Sequence, residues 1–333
     1  ANKETPARLA AKIRACGYVG QERAVRAISL FAYRHIDRLH RIKECLMDKL
    51  PKKTNLLFVG PTGCGKTYLV ELLFGKILKL PTAVIDVTAY TETGYVGLDV
   101  SNILTRLLFA ANMNAQMAET GIVCLDEFDK IAQFNETNPL GGNSTTKDVT
   151  GFGVQRELLK MVEGTSIRVP RQMGLNQYGA HVDMSTANIP FIACGAFSGL
   201  KHCIQREKGS SIGFMQGNQP PPKDNIAVSY TEDDVNLVTT FQKFGFLPEL
   251  IGRFSRIVPF EALGERELRN ILENNVIPGW QGEMAMHGIE MVVDDSLVDF
   301  IVASALKKET GAGALRRLSH SFSRMPHLML TPA

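Results

Sequence analysis

No stretch of this 333-residue chain approaches the roughly 18 consecutive apolar residues that a membrane-spanning helix needs, which excludes a helical integral membrane protein. Excess charge is also scarce. Lys and Arg number 37 against 34 Asp and Glu, and the net +3 is too small to draw the chain to nucleic acid or an anionic membrane. The six cysteines, at 16, 45, 64, 124, 194 and 203, form no C-x-x-C pair and no ligand cluster with histidine. A zinc site and a disulfide framework are thereby excluded, and the thiols read as small apolar fillers kept reduced. Repeats are absent, and the one low-complexity tract is Gln219-Pro220-Pro221-Pro222. Hydrophobic content of 44% and charged content of 21% are ordinary for a globular protein, and the length suggests about two domains. The chain starts at Ala1 without Met, so targeting is not read from it.

Against this plain background stands Gly60-Pro61-Thr62-Gly63-Cys64-Gly65-Lys66-Thr67, a match to G-x-x-x-x-G-K-[ST]. Asn55-Leu56-Leu57-Phe58-Val59 precedes it as a buried parallel strand, and Tyr68 to Leu78 follows with leucines at helical spacing. A strand that ends in a Gly-rich turn opening a helix aims several backbone N–H groups, and the helix dipole, at one point. ATP is the expected ligand, with Lys66 reaching the β- and γ-phosphates and the Thr67 hydroxyl holding Mg²⁺.

Gly121-Ile122-Val123-Cys124-Leu125-Asp126-Glu127 is an apolar strand ending in two carboxylates, the form of a Walker B element. Asp126 is placed to bind Mg²⁺, directly or through water, and Glu127 to orient and deprotonate an attacking water. The Asp-Glu pair beside a P-loop resembles the AAA+ ATPases. Thr93-Gly94-Tyr95-Val96-Gly97 allows two readings, a tight turn burying its tyrosine or a loop whose exposed aromatic tip grips a polypeptide.

Taken in order, Tyr18-Val19-Gly20-Gln21-Glu22, the P-loop, Gly94-Tyr95-Val96-Gly97, Leu125-Asp126-Glu127-Phe128-Asp129-Lys130, Gly153-Val154-Gln155 through Glu163-Gly164-Thr165, and Phe246-Leu247-Pro248-Glu249-Leu250-Ile251-Gly252-Arg253 resemble the ClpX family. These are AAA+ unfoldases that feed proteins to a ClpP-type peptidase, and the similarity runs from about residue 6 to about 318. The resemblance implies nucleotide binding by Val19, Tyr68 and residues 60–67, a pore grip by Tyr95 and Val96, and a second pore loop at Thr146-Lys147-Asp148-Val149 with Lys147 as its basic residue. It implies that Arg253 is an arginine finger directed at the neighbouring subunit's γ-phosphate, a role that suits a planar, permanently charged fork. It also implies that Ser211-Ile212-Gly213-Phe214, in a Gly/Pro/Lys-rich stretch running to Lys223, docks onto the peptidase. Ile212 and Phe214 would be the apolar anchors flanking Gly213. A homo-oligomeric ring, a hexamer, is implied as well, acting on unfolded or tagged proteins in the bacterial cytoplasm or the mitochondrial matrix.

Four departures accompany the resemblance. Gly313 stands in Gly311-Ala312-Gly313-Ala314-Leu315-Arg316 where the family's sensor-2 motif has its arginine, with Arg316 and Arg317 a turn further on. Gly174-Leu175-Asn176 is neutral where the family has an Arg-Lys-His substrate loop. The zinc-binding N-terminal domain is not part of this sequence. Pro326 breaks the expected last helix. Cys64 for the usual serine is a lesser change.

The expected architecture is α/β. Residues 1–258 form a large AAA+ P-loop domain with a parallel sheet between helices, with strands near 55–59, 82–87, 121–126 and 189–194. Residues 259–333 form a small, mostly helical lid with helices over 265–275 and 295–308 and a start at Ala312, hinged near Pro259. The helix at 151–163 turns Val154, Leu158, Met161 and Val162 to the core. A non-proteolytic remodeller or weakened ring subunit is the alternative function. A nucleic-acid motor on the same fold is disfavoured by the near-neutral charge and the lack of a basic patch.

Overall fold

The structure is a computed structural model that describes residues 4–46, 50–91, 98–132, 149–171, 180–200, 238–307 and 312. Its strands are β1 (Leu56–Val59), β2 (Thr82–Asp86), β3 (Tyr90–Thr91), β4 (Leu98–Asp99), β5 (Ile122–Asp126), β6 (Ser166–Pro170), β7 (His181–Ser185), β8 (Phe191–Gly195) and β9 (Arg256–Pro259). Five of them make a wholly parallel sheet in the order β2-β5-β8-β1-β9. The four expected strands are all in it. The fifth, β9, escapes a reading of hydrophobic pattern because Arg256 and Pro259 bracket only two apolar residues. A proline is tolerated there because β9 is the sheet's edge. The antiparallel pair β6–β7 is a further feature that the sequence pattern does not announce.

Both faces of the sheet are covered, as parallel strands require, and strict alternation sorts their side chains. Leu57, Val59, Val123, Leu125, Phe191 and Ala193 pack on one face with helix α4 (Asn102–Ala110), helix α6 (Val149–Glu163) and a group of phenylalanines at 197, 241, 244, 246 and 254. Leu56, Phe58, Ile122, Cys124, Ile192 and Cys194 point the other way, into α1 (Pro6–Ala15), α2 (Glu22–Lys43) and α3 (Lys66–Val70, continued as a π-helical stretch Glu71–Ile77). Helix α1 starts where it does because Thr5 caps it, accepting from the Arg8 N–H at 3.3 Å, and Pro6 supplies a preset first turn. Among the described residues this part also has the short helices α5 (Ala115–Ala118), α7 (Val238–Lys243) and α8 (Pro248–Ile251).

Beyond Phe260 the chain builds a separate small core from Leu268, Leu272, Ile277, Val298, Ile301 and Val302. It comes from α9 (Glu265–Ile271, continued as a π-helical stretch Leu272–Val276), α10 (Ile277–Met286) and α11 (Asp295–Lys307). Helix α10 is hidden in the sequence behind Pro278-Gly279, which looks like a break. The backbone nevertheless stays helical through Val276 and Ile277, and Pro278 sits where the π-helical stretch gives way to α10.

The N-terminal segment bridges the two parts. Gln21 pairs with Glu261 through two hydrogen bonds, Nε2 to the carbonyl at 2.7 Å and the Glu261 N–H to Oε1 at 3.0 Å. Asn275 Nδ2 donates to the Gly17 carbonyl at 2.9 Å. Only glycine fits at 17, because φ is +81° and a Cβ there would lie 2.7 Å from Asn275 Oδ1. The Ala312 N–H reaches the Gly63 carbonyl at 3.0 Å.

Candidate nucleotide site

The P-loop leaves the carboxyl end of β1, an interior strand between β8 and β9, on the side of the sheet where ligands of open α/β sheets collect. Gly63 and Gly65 take φ of +78° and +90°, which curls the loop and turns successive N–H groups inward. A side chain at Gly60 would overlap Phe260, with its Cβ 2.6 Å from that residue's Cβ and carbonyl oxygen. Cys64 is buried, with Sγ 3.7 Å from Lys66 Nζ; burial pushes its thiol up while Lys66 opposes that shift. Lys66 is also buried, and its Nζ donates to the Gly60 and Pro61 carbonyls, both at 2.7 Å. The ammonium is therefore held inside the loop by backbone oxygens, available to a stronger acceptor.

At the carboxyl end of β5, Asp126 Oδ2 accepts from Thr67 Oγ1 at 2.8 Å, although β8 lies between their strands. Glu127 then adopts the left-handed conformation (φ 53°, ψ 32°), which is costly for a residue with a side chain and turns its carboxylate off the strand direction. Its N–H donates to Asp126 Oδ1 at 3.0 Å. Partial burial, followed by the nearby Asp129 and Asp126, raises the Glu127 carboxyl above the usual range, with Lys130 working against them. Asp129 is buried and accepts from the Ala196 N–H at 3.1 Å, fixing the turn to the end of β8.

Tyr18 is a part of the site that reading by motif quotes but does not interpret. Its hydroxyl donates to the Gly65 carbonyl at 3.2 Å, and its ring stacks on Tyr68 at 6.2 Å. A Cβ at Gly65 would be 3.1 Å from that hydroxyl. Burial holds the phenol well above its ordinary value. Val19, half-buried, follows it. Loop, ammonium, Thr67 hydroxyl and carboxylates thus converge on one edge of the sheet. A curled loop that only glycine can form, one lysine and a hydroxyl–carboxylate pair fit a nucleoside triphosphate with a divalent cation.

Arg253 is not there. It lies between α8 and β9, where its carbonyl accepts from Asn55 Nδ2 at 2.9 Å. Asn55 precedes β1 and also accepts from the Phe191 N–H at 3.0 Å. Arg253 is therefore anchored at the amino end of the sheet, and its guanidinium forms an ion pair with Glu163 at the end of α6. The five strand steps from Asn55 to Gly60 separate the two rims by about 16 Å. Tyr95, Val96, Lys147, Ile212, Gly213 and Phe214 lie outside the described residues, as do Gly313, Arg316 and Arg317.

Residues 51–257 match the model of the AAA domain (Cdc48 subfamily). The chain is 37% identical over 311 residues to the ATP-dependent Clp protease ATP-binding subunit ClpX of Azotobacter vinelandii, an alignment that covers 90% of this chain and 68% of that protein.

Proposed function

The chain belongs to the ClpX family of AAA+ ATPases, and we propose that it works as a hexameric ring that unfolds proteins and passes them into a ClpP-type peptidase. ATP hydrolysis drives the work. Residues 1–258 are the large ATP-binding domain and residues 259–333 the small helical one. Gly60 to Thr67, with Val19 and Tyr68, hold the nucleotide. Thr67 and Asp126 hold Mg²⁺, which when bound offsets charge on the phosphate oxygens. Glu127 orients the attacking water and takes its proton, a task helped by a carboxyl raised toward the working pH. Tyr95, Val96 and Lys147 grip the translocating chain, and the loop Ile212-Gly213-Phe214 docks on the peptidase. The bacterial cytoplasm or mitochondrial matrix, both reducing, suits the free cysteines at 16, 45, 64, 124 and 194.

The observation that carries this reading is the separation of Arg253 from its own P-loop by the length of the sheet. An arginine finger placed there cannot serve its own nucleotide and can serve one offered by a neighbour, so each complete site needs two subunits. Rings of Arg253→Ala subunits and rings of Glu127→Gln subunits should each be nearly inactive. Mixing them one to one should restore ATPase, because random assembly leaves about a quarter of the composite sites intact. No recovery in mixtures that co-assemble, as judged by pull-down of one variant through an affinity tag on the other, would end the two-subunit reading.

A further inference from the structure

Gln155 is completely buried in the middle of α6, and its three side-chain hydrogen bonds all go to backbone outside its own helix. Nε2 donates to the Ile131 carbonyl at 2.8 Å and to the Gly245 carbonyl at 3.1 Å. Oε1 accepts from the Leu247 N–H at 2.8 Å. Carbonyls only accept and an amide N–H only donates, so this set of partners permits one orientation of the side-chain amide.

The two segments that it joins have different duties. Ile131 closes the 3₁₀ turn Phe128–Ile131, which begins directly after Glu127. Gly245 to Leu247 lead into α8, which ends one residue before Gly252-Arg253. The same two segments also touch through rings. Phe128, next to Glu127, stacks on Phe246 at 5.1 Å and meets Phe254, next to Arg253, edge to face at 5.5 Å. Leaving two buried carbonyls and a partly buried N–H without partners is costly, so any shift of the turn after Glu127 has to carry Gln155, and Gln155 has to carry the root of the Arg253 segment.

We propose that Gln155 is a positioning residue that ties the turn after a subunit's own Glu127 to the root of the Arg253 finger that this subunit lends to its neighbour. Through it, the state of one nucleotide site sets the finger presented to the next. The inference rests on Arg253 acting in trans, and its test separates the two ideas.

Arg253→Ala subunits, whose own Glu127 is intact, receive fingers from Glu127→Gln subunits whose own sites are silent. This reference mixture fixes the restored kcat and the KM for ATP. The donor is then replaced by Glu127→Gln/Gln155→Met, which keeps the side chain's length and removes all three hydrogen bonds. A second donor, Glu127→Gln/Gln155→Glu, whose fully buried carboxyl stays protonated, keeps an acceptor for the Leu247 N–H and one of the two donated bonds. Because the donor's own site is already silent, any change reaches the assay only through its finger. The expected result is a fall in restored kcat of about tenfold or more with Met and a smaller one with Glu, at a KM for ATP unchanged within about twofold. Equal restoration with all donors would overturn the proposal, as would a rise in KM without loss of kcat. Failure of both Gln155 donors to enter rings overturns it too, since the residue would then serve folding alone. Silence of the reference mixture instead refutes the finger in trans, and this proposal with it.

Discussion

Thr67 Oγ1 donates a 2.8 Å hydrogen bond to Asp126 Oδ2, joining the end of the P-loop to the end of β5 across the intervening β8. Two oxygens from segments 59 residues apart thus meet beside Lys66, where a divalent cation would have to sit to bridge protein and phosphate. Changing Asp126 to Asn keeps the shape and removes the charge. The Mg²⁺ concentration for half-maximal ATPase should rise by roughly an order of magnitude or more. Nucleotide binding without metal should be little affected. A magnesium titration of activity, with binding of a fluorescent nucleotide measured in chelator, checks both.

Glu127→Gln should bind ATP normally and turn it over at least roughly a hundredfold more slowly, because the water loses its base. The pH profile gives a finer test. Burial, Asp129 and Asp126 raise the carboxyl, so as pH falls Glu127 protonates earlier than an ordinary glutamate, and the acid limb of kcat lies correspondingly high. Lys130 opposes that shift, so Lys130→Gln should move the limb to still higher pH. A limb that moves to lower pH in this variant would contradict the assignment of the base.

The docking and pore loops should separate cleanly. Phe214→Ala should abolish peptidase-dependent degradation while ATPase and unfolding persist, because a docking loop adds contact area far from the nucleotide. Tyr95→Ala should do the reverse, leaving peptidase binding intact while a folded substrate is no longer translocated. Degradation of a fluorescent substrate and pull-down of the peptidase distinguish the two defects, and identical defects would count against both roles.

His35, buried in α2, donates from Nε2 to the Thr120 carbonyl at 2.9 Å, and burial lowers its pKa to about 4. Its folded value lies below the unfolded one, so the neutral ring contributes stability that is present above about pH 6.5 and lost as pH falls toward 4. The full loss is on the order of 3 kcal/mol. Urea unfolding between pH 7.5 and 5 should show a declining midpoint, and His35→Gln should flatten the decline. A decline of equal slope in that variant would assign it to other groups.

Much of this molecule is legible in local pattern. An apolar strand, a glycine turn and a helix occur within about 25 consecutive residues, and the geometry of a phosphate cradle follows from backbone conformations that only glycine reaches at low cost. Strand–acid–acid is equally local, and so the P-loop and Asp126-Glu127 could be named, together with four of the five strands of the central sheet. What the pattern leaves open depends on partners that are remote along the chain. Gln155 in sequence is one polar residue beside an apolar helical stripe; its partners at 131, 245 and 247 come from folding alone. Tyr18 under Gly65, Asn275 against Gly17 and Ala312 at Gly63 are contacts of the same kind. Arg253 shows the division most plainly. Its chemistry suits a phosphoryl group wherever it lies, but only the hydrogen bond to Asn55 at the opposite end of β1 places it on the rim away from its own nucleotide site. The sequence determined which groups can carry this chemistry. The tertiary structure decided which of them share one site, because side-chain chemistry is a property of the residue and proximity a property of the packed sheet.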